Sequence, residues 1–342
     1  MTDNTIYVSV IVPCYQEENH IRKFVEDFYK QNFGELEVEL IVADGGSCDG
    51  TLVSLEILGQ KYESLKVINN LKRIVSTGLN LAVAASRGAI IIRMDVHTEY
   101  SGDYIVACVE TLINSNAQCA GGPWNVFKPE CGIGRAIALA FDSKVGSGNA
   151  KSRDVQFSGQ VDTVYLGCWW KSYLVGIGLF DETLVRNQDD ELCLRIRKSG
   201  GIIFQSAAIV SSYYPRVEYR RLFDQWRQYG FWRPFVIKKH RGAGSIRQLI
   251  PVLFVICCMI ALAASLLLSN VFPISALLVT YFSSIFASLY KQYPQESGRV
   301  YLQSIYAVSL IHFGYGVGFI KGCTSLLFGS QLKTANKNEI SR

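Results

Sequence analysis

No residue from Gln248 to Tyr290 carries a charge. An uninterrupted stretch of that length does not fit the surface of a water-soluble domain, and about 20 apolar residues are enough to cross a bilayer core as a helix. It divides into Leu249 to Leu268 and Val271 to Tyr290, with Pro273 near the start of the second half, which reads as a tight hairpin of two spans. A third segment, Val300 to Ile320, holds His312 and glycines at 314, 316 and 318. It either crosses or lies re-entrant or interfacial. Crossing would put Lys333, Lys337 and Arg342 outside, against the tendency of basic residues to stay inside. This end of the chain accounts for the composition, 49% hydrophobic and 18% charged with a mean hydropathy of +0.18, where a soluble chain carries about 25% charge.

The net charge of +5 comes largely from Arg216 to Arg247, where nine Lys and Arg face only Glu218 and Asp224. Lying directly before an apolar span, this stretch reads as a juxtamembrane, interfacial segment facing anionic lipid, and no nucleic-acid partner is expected. The ten cysteines include no CxxC pair, so reduced, buried thiols are expected rather than a zinc site or disulfide framework. The N-terminus, MTDNTIYVSVIVP, lacks a basic region followed by a long apolar run. No signal peptide is therefore expected, and the N-terminal domain is expected in the cytoplasm. The organisation that follows is a domain over 1–215, the interfacial segment over 216–247, a membrane region over 248–328 and a tail over 329–342.

The N-terminal part alternates strands and helices. Tyr7 to Pro13, Val38 to Ala43, Leu65 to Ile68 and Ala89 to Met94 are short β-branched runs; the stretches Glu17 to Gln31, Thr51 to Lys61 and Thr77 to Ser86 read as helices. That order predicts a mostly parallel sheet with helices on both faces, whose ligands bind outside the carboxyl ends of the strands. Polar clusters fall at those ends: Cys14-Tyr-Gln-Glu-Glu18, Asp44-Gly-Gly-Ser-Cys-Asp-Gly-Thr51 and Asp95-Val-His97. Beyond residue 120, Gly121 to Trp124 and Gly132 to Gly148 read as loop-rich, Asp162 to Asp181 as strand, turn and short helix, and Asp189 to Ser199 as a helix ended by Gly200-Gly201.

Each cluster has a chemical reading and a plainer one. Glycines after Asp44 let backbone approach a ligand, and Asp44 can accept from a base or ribose; the alternative is a turn with Ser47 or Asp49 capping the next helix. Asp95 and His97, two apart after a strand, can hold a divalent cation between diphosphate oxygens, Mn²⁺ suiting imidazole better than Mg²⁺; the alternative is a strand-end Asp and an exposed His. Asp189, Asp190 and Glu191 open a helix. At least one of them complements its dipole, and one beside a bound acceptor can act as general base. Gln225 to Arg233 interleaves aromatics and arginines, suited to sugar stacking and phosphate contact or to the membrane interface.

Together these clusters resemble the family 2 glycosyltransferases with a GT-A fold. Val8 to Glu18 is similar to that family's opening strand and turn, with Gln16 in place of the usual Asn, and Asp44 to Thr51 is similar to its nucleotide-binding loop. The match covers about residues 6 to 240. Lys72 to Asn80, Arg93 to His97, Gly121 to Trp124, Asp162 to Trp169, Arg186 to Leu192 and Gln225 to Arg233 further resemble the succinoglycan-biosynthesis subgroup of bacterial exopolysaccharide pathways. The resemblance implies an α/β GT-A domain, a Rossmann-like nucleotide-diphospho-sugar transferase fold, followed by C-terminal transmembrane helices. It implies inverting transfer of a hexose, glucose by default, from a UDP-sugar to a polyprenyl-diphosphate-linked or other membrane-proximal saccharide, with Mg²⁺ or Mn²⁺. The implied location is the bacterial inner membrane, multi-pass, with the catalytic domain in the cytoplasm.

Residue by residue, the resemblance implies that Glu17 and Asp44 contact the uridine, that Asp95 with His97 sits where the family's Asp-x-Asp holds metal and diphosphate, and that Asp189 is the base. His97 departs from the family's second Asp, and Gln188 stands where the wider family has Glu. Donor contacts are expected from Pro13, Tyr15, Glu17, Asp44, Gly45, Ser47, Asp49, Lys72, Asn80, Arg93 and Asp95. Trp169, Asp190, Glu191, Gln225, Trp226 and Arg233 are expected near the acceptor or the diphosphate. Two rivals are a non-catalytic nucleotide-sugar-binding membrane protein, which the Asp189 to Glu191 cluster argues against, and a nucleotidyltransferase. The latter would want a basic glycine-rich loop near the N-terminus, where residues 13 to 20 hold only acidic and neutral groups.

Overall fold

Alternation along the central strands explains why they read as unbroken apolar runs. In a computed structural model describing residues 6–148, 150–242 and 244–328, Val8, Val10 and Val12 pack into one core with Leu40, Val42, Ile90 and Ile92. Ile11, Ile41, Ala43 and Ile91 point into a second. A sheet covered on both faces needs apolar side chains at every position.

In chain order the elements begin β1 (Tyr7–Cys14), α1 (Ile21–Phe28), β2 (Glu37–Asp44), α2 (Thr51–Lys61), β3 (Leu65–Asn69) and α3 (Val75–Ala85). Next come β4 (Ile90–Arg93), β5 (Thr98–Tyr100), α4 (Tyr104–Asn114), β6 (Cys119–Gly122), α5 (Gly132–Asp142) and α6 (Lys144–Ser147). Then follow β7 (Gly159–Gln160), β8 (Tyr165–Trp170), α7 (Lys171–Gly176), α8 (Gln188–Lys198), β9 (Ile203–Gln205) and β10 (Ser211–Tyr213). The chain continues through α9 (Tyr219–His240), α10 (Ile250–Leu267), α11 (Phe272–Gln292) and α12 (Gly298–Leu327).

Contacts divide the chain into two units. The first takes the residues up to Asn125 and Lys151–Tyr213; the second takes Val126–Ala150 and the chain from Tyr214. Val126–Ala150, which composition leaves in the N-terminal domain, groups with the second unit. The first unit holds an eight-stranded sheet in the order β3-β2-β1-β4-β8-β6-β9-β7 and a small β10-β5 ribbon. The four strands at one side are parallel, and β8 enters antiparallel to β4 and β6. Asp44 closes β2 and Arg93 closes β4, so their polar neighbours gather at one sheet edge.

The loop expected over Gly132 to Gly148 is largely helix. Ala136 to Phe141 are buried in α5, and its glycines sit at its first turn and beyond its last, where they do not interrupt it. Gly121-Gly122, also expected as loop, ends strand β6. The ten cysteines are all free.

In the second unit, Ile246–Leu267 and Phe272–Gln292 are long and apolar enough to cross a membrane, and only 17% and 11% of an apolar 18-residue window in each is buried within the chain. Leu266, Leu267, Val271 and Phe272 are 70% exposed or more. Apolar surface of that extent calls for a non-aqueous neighbour. The third segment is one unbroken helix of 30 residues, about 45 Å long. It packs along α9 through small residues. A Cβ on Gly318 would lie 2.1 Å from the Arg227 carbonyl oxygen, and one on Gly230 would lie 2.0 Å from that of Tyr315. Gly318→Val is expected to separate the helices, costing about 1–3 kcal/mol, read as a lower midpoint of thermal unfolding in detergent.

Candidate active site

The first polar loop is tied to the second. After β1 the Gln16 N–H donates to Ser47 Oγ (2.8 Å) and the Glu17 N–H to Thr51 Oγ1 (2.8 Å). Gln16 adopts φ +53°, a region where Asn is enriched among non-glycine residues; that is a physical reason for Asn at this place in the family. Asp44 is buried and spends its carboxylate on its own loop, accepting from the Gly46 and Ser47 N–H groups and from Ser47 Oγ. The turn alternative is therefore part of the answer: Asp44 shapes the glycine loop. Asp49 does the same for the start of α2, accepting from Thr51 N and Oγ1. Tyr15 lies against the would-be Cβ of Gly45 and under the Arg73 guanidinium. Pro13 pairs with Ala43 inside the parallel ladder.

At the end of β4 a buried arginine joins two carboxylates. Arg93, 5% exposed, donates to Asp95 from Nε (3.2 Å) and Nη2 (3.1 Å), and from Nη1 to Asp189 at the start of α8. Burial opposes its charge, but the Asp189 and Asp95 carboxylates prevail and hold the guanidinium protonated. Asp189 keeps a 39% exposed side chain, yet it is crowded by protein. That desolvation outweighs the attraction of Arg93, and with Asp95 and Asp190 nearby it lifts the carboxyl to about 6.

His97 does not join Asp95. Its Nε2 lies 2.7 Å from Glu17 Oε1, while Asp95 is taken up by Arg93. The turn after β4 thus sends Asp95 and His97, expected as a metal pair, to different partners. Glu17 is 7% exposed, and His20 Nδ1 stands 3.5 Å from its Oε2. The ligand atoms of Glu17, His20 and His97 all lie within 4.8 Å of one another. One carboxylate and two imidazoles fit a divalent cation.

Other expected residues are placed elsewhere. Lys72 pairs with Glu182 (2.8 Å), and Asn80 bonds Glu182 and the Phe180 backbone. Lys72, just before α3, and Asn80, within it, tie this stretch to the loop that leads into α8, a supporting task. Trp169 is 2% exposed and packs edge-on to Phe180 in the core, so it offers no ring to an acceptor. Glu191 is fully buried and accepts from Arg195 one helical turn on. Asp190, beside Asp189, is half-buried. Gln225, Trp226 and Arg233 belong to the second unit, where Trp226 packs against Phe141, Tyr229 and Tyr315.

Sequence reasoning missed His20, Tyr100 and Tyr165. The Tyr100 hydroxyl accepts the Asp95 N–H (2.6 Å), and the Tyr165 hydroxyl meets Thr98 Oγ1 (2.8 Å). Trp124 stacks on Tyr165 with Arg153 over its far face, 3.8 Å from the ring centre. The spacing Glu17-x-x-His20 at a helix start was the signal for His20.

Residues 9–152 match the family model described as glycosyl transferase family 2. These residues form a family 2 glycosyltransferase domain. It is 29% identical over 71% of its length to 74% of the succinoglycan biosynthesis protein ExoA of Rhizobium meliloti. It is 25% identical over 92% of its length to 97% of a dolichyl N-acetyl-glucosaminyl phosphate diacetamido-dideoxy-glucuronosyltransferase of Methanococcus voltae. Among solved structures, the mannosyltransferase PcManGT of Pyrobaculum calidifontis, in complex with GDP-Man and Mn²⁺, superposes with a TM-score of 0.56 at 16% identity, covering 96% of this chain and 88% of that one. TarS 1-349 of S. aureus gives 0.50 at 12% identity, covering 95% and 92%. At those identities the likeness speaks for the fold, which is the α/β GT-A type read from the sequence. The glycosyltransferase carries its two candidate membrane helices after the catalytic domain.

Proposed function

We propose that this family 2 glycosyltransferase transfers a hexose, glucose by default, from a UDP-sugar to a lipid-linked or membrane-proximal saccharide with inversion at the anomeric carbon. The observation that carries the reading is Arg93 joining Asp95 to Asp189 across two separate strand and helix ends. A nucleotide diphosphate at this edge meets the glycine loop held by Asp44, with Tyr15 and Glu17 alongside. Asp189 is the base that accepts the proton of the attacking hydroxyl, and Arg93 fixes its position. The acceptor oxygen then displaces the nucleoside diphosphate from the opposite face, so one carboxylate suffices and no covalent enzyme intermediate forms. A divalent cation, Mg²⁺ or Mn²⁺ by resemblance, supplies positive charge to the leaving diphosphate. Among this chain's residues, His97 with Glu17 and His20 fits it best.

The apolar pair of helices and the basic α9 suit a multi-pass protein of a bacterial inner membrane, with its first unit and anionic lipid on the cytoplasmic side. There an anchored enzyme meets a polyprenyl-diphosphate-linked acceptor by searching in two dimensions.

A base with its carboxyl at about 6 fixes the sign of the pH dependence. Below that value Asp189 is protonated and cannot take the hydroxyl proton; above it the carboxylate is ready. Transfer at saturating donor is expected to fall along an acid limb with a midpoint of about 6, to about a tenth by pH 5 if this single group governs the step. An acid limb centred near 4, the ordinary carboxylate range, would contradict the assignment.

A further inference from the structure

The turn after β1 is built to hold Glu17 and His20 side by side. The Glu17 carbonyl accepts from the N–H groups of His20 (2.9 Å) and Ile21 (2.8 Å), which closes the chain into α1. Its own N–H is fixed on Thr51 Oγ1, so the carboxylate stem has little freedom. One carboxylate oxygen meets His97 Nε2 at 2.7 Å. The other, Oε2, is buried without a hydrogen bond, and His20 Nδ1 is 3.5 Å away. A buried carboxylate oxygen left in that state costs free energy unless something satisfies it. The two imidazoles meet edge to face, 4.5 Å between ring centres, and their side chains are 55% and 47% exposed.

A simple ion pair of Glu17 with His97 explains one oxygen only. It leaves the second imidazole, aimed at the second oxygen, without a reason. Around a tetrahedral cation with bonds of about 2.0–2.1 Å, ligand atoms stand ~3.3 Å apart. The present atoms, all within 4.8 Å, reach that spacing by turning two exposed rings. Two imidazoles and one carboxylate favour borderline cations over Mg²⁺, which prefers oxygen ligands, and they leave positions open for solvent or phosphate oxygens.

We propose that Glu17, His20 and His97 form a preformed site for one borderline divalent cation of the Zn²⁺, Co²⁺ or Mn²⁺ class, filled before any nucleotide arrives. The site's use in sugar transfer rests on the function proposed above; its occupancy by metal alone does not. The test uses the full-length chain in detergent, without a histidine tag and stripped with chelator. Co²⁺ is titrated in while visible absorption is followed, and calorimetry compares Zn²⁺, Mn²⁺ and Mg²⁺.

The expected result is one Co²⁺ per chain with no thiolate-to-cobalt band, and affinity in the order Zn²⁺, Co²⁺, Mn²⁺, Mg²⁺. His20→Asn and His97→Asn are each expected to lower Co²⁺ affinity by more than about tenfold, the low end of what changes outside the ligand shell already cost. Asp95→Asn leaves it unchanged. Both histidines are half-exposed, so circular dichroism and an unaltered melting point in chelator will show the variants folded. Failure of Co²⁺ to bind without UDP, a thiolate band, an unaffected His20→Asn protein, or loss of binding in Asp95→Asn would each overturn the proposal. UDP binding in chelator reads the donor site separately, so failure of the metal site and failure of the donor reading are told apart.

Discussion

Asp189→Asn is expected to lower sugar transfer by on the order of 10²–10⁴-fold, the usual contribution of a general base, while UDP still binds. The amide keeps the size of the side chain and can still accept from Arg93, so the site's shape survives. What it loses is the capacity to take a proton at the moment the acceptor oxygen attacks. The effect therefore belongs in kcat, with little change in the donor's dissociation constant. Radiolabelled transfer in purified membranes measures the first and calorimetric titration of UDP the second. A variant that retains near wild-type transfer would remove Asp189 from the mechanism.

Arg93→Leu is expected to be the most damaging single change to the first unit. It takes a guanidinium that is 5% exposed from between two carboxylates and leaves them facing each other. Removing one partner of a buried ion pair costs about 3–5 kcal/mol. Because Asp189 and Asp95 keep 39% and 32% of their side chains in contact with solvent, the low end applies. For a unit of this size about 3 kcal/mol corresponds to ~6–12 °C in melting temperature. The loss also has a sign in pH. Without the positive charge that pulls its carboxyl down, Asp189 titrates higher, and the acid limb of residual transfer moves to more alkaline pH. Arg93→Lys keeps a charge but not the planar fork that reaches both carboxylates, so it is expected to recover part of the stability and little of the rate. An Arg93→Leu protein with unchanged melting and an unchanged pH profile would show that the bridge does not organise the site.

The parallel half of the sheet was legible because β1, β2 and β4 are short runs of β-branched residues that end in polar clusters, and that pattern has few other solutions. The residue pairings at the site were not. Spacing put His97 beside Asp95, but the turn between β4 and β5 sends His97 to Glu17, a residue 80 positions earlier. Trp169, expected near the acceptor or the diphosphate from the resemblance, is buried in the second core with Phe180 and the strands around it, which no local pattern reports. Lys72 and Asn80 likewise found Glu182, about a hundred residues on. The helix at Gly132–Asp142 was hidden by its glycines, which count as breakers in a window and act here only at the ends of a buried apolar stretch. The third apolar segment was ambiguous for the same reason: its glycines are a packing seam against α9, not a break.

Donor-dependent release of nucleoside diphosphate in membranes bearing the chain, across a panel of UDP- and GDP-sugars, tests the whole account most directly. A UDP-hexose should be consumed with UDP released and the sugar recovered on a lipid-extractable product, in wild type and not in Asp189→Asn. If no nucleotide sugar is bound or cleaved, or if Asp189→Asn turns over as fast as wild type, the grouping of Glu17, Asp44, Asp95 and Asp189 at one sheet edge is not a sugar-transfer site.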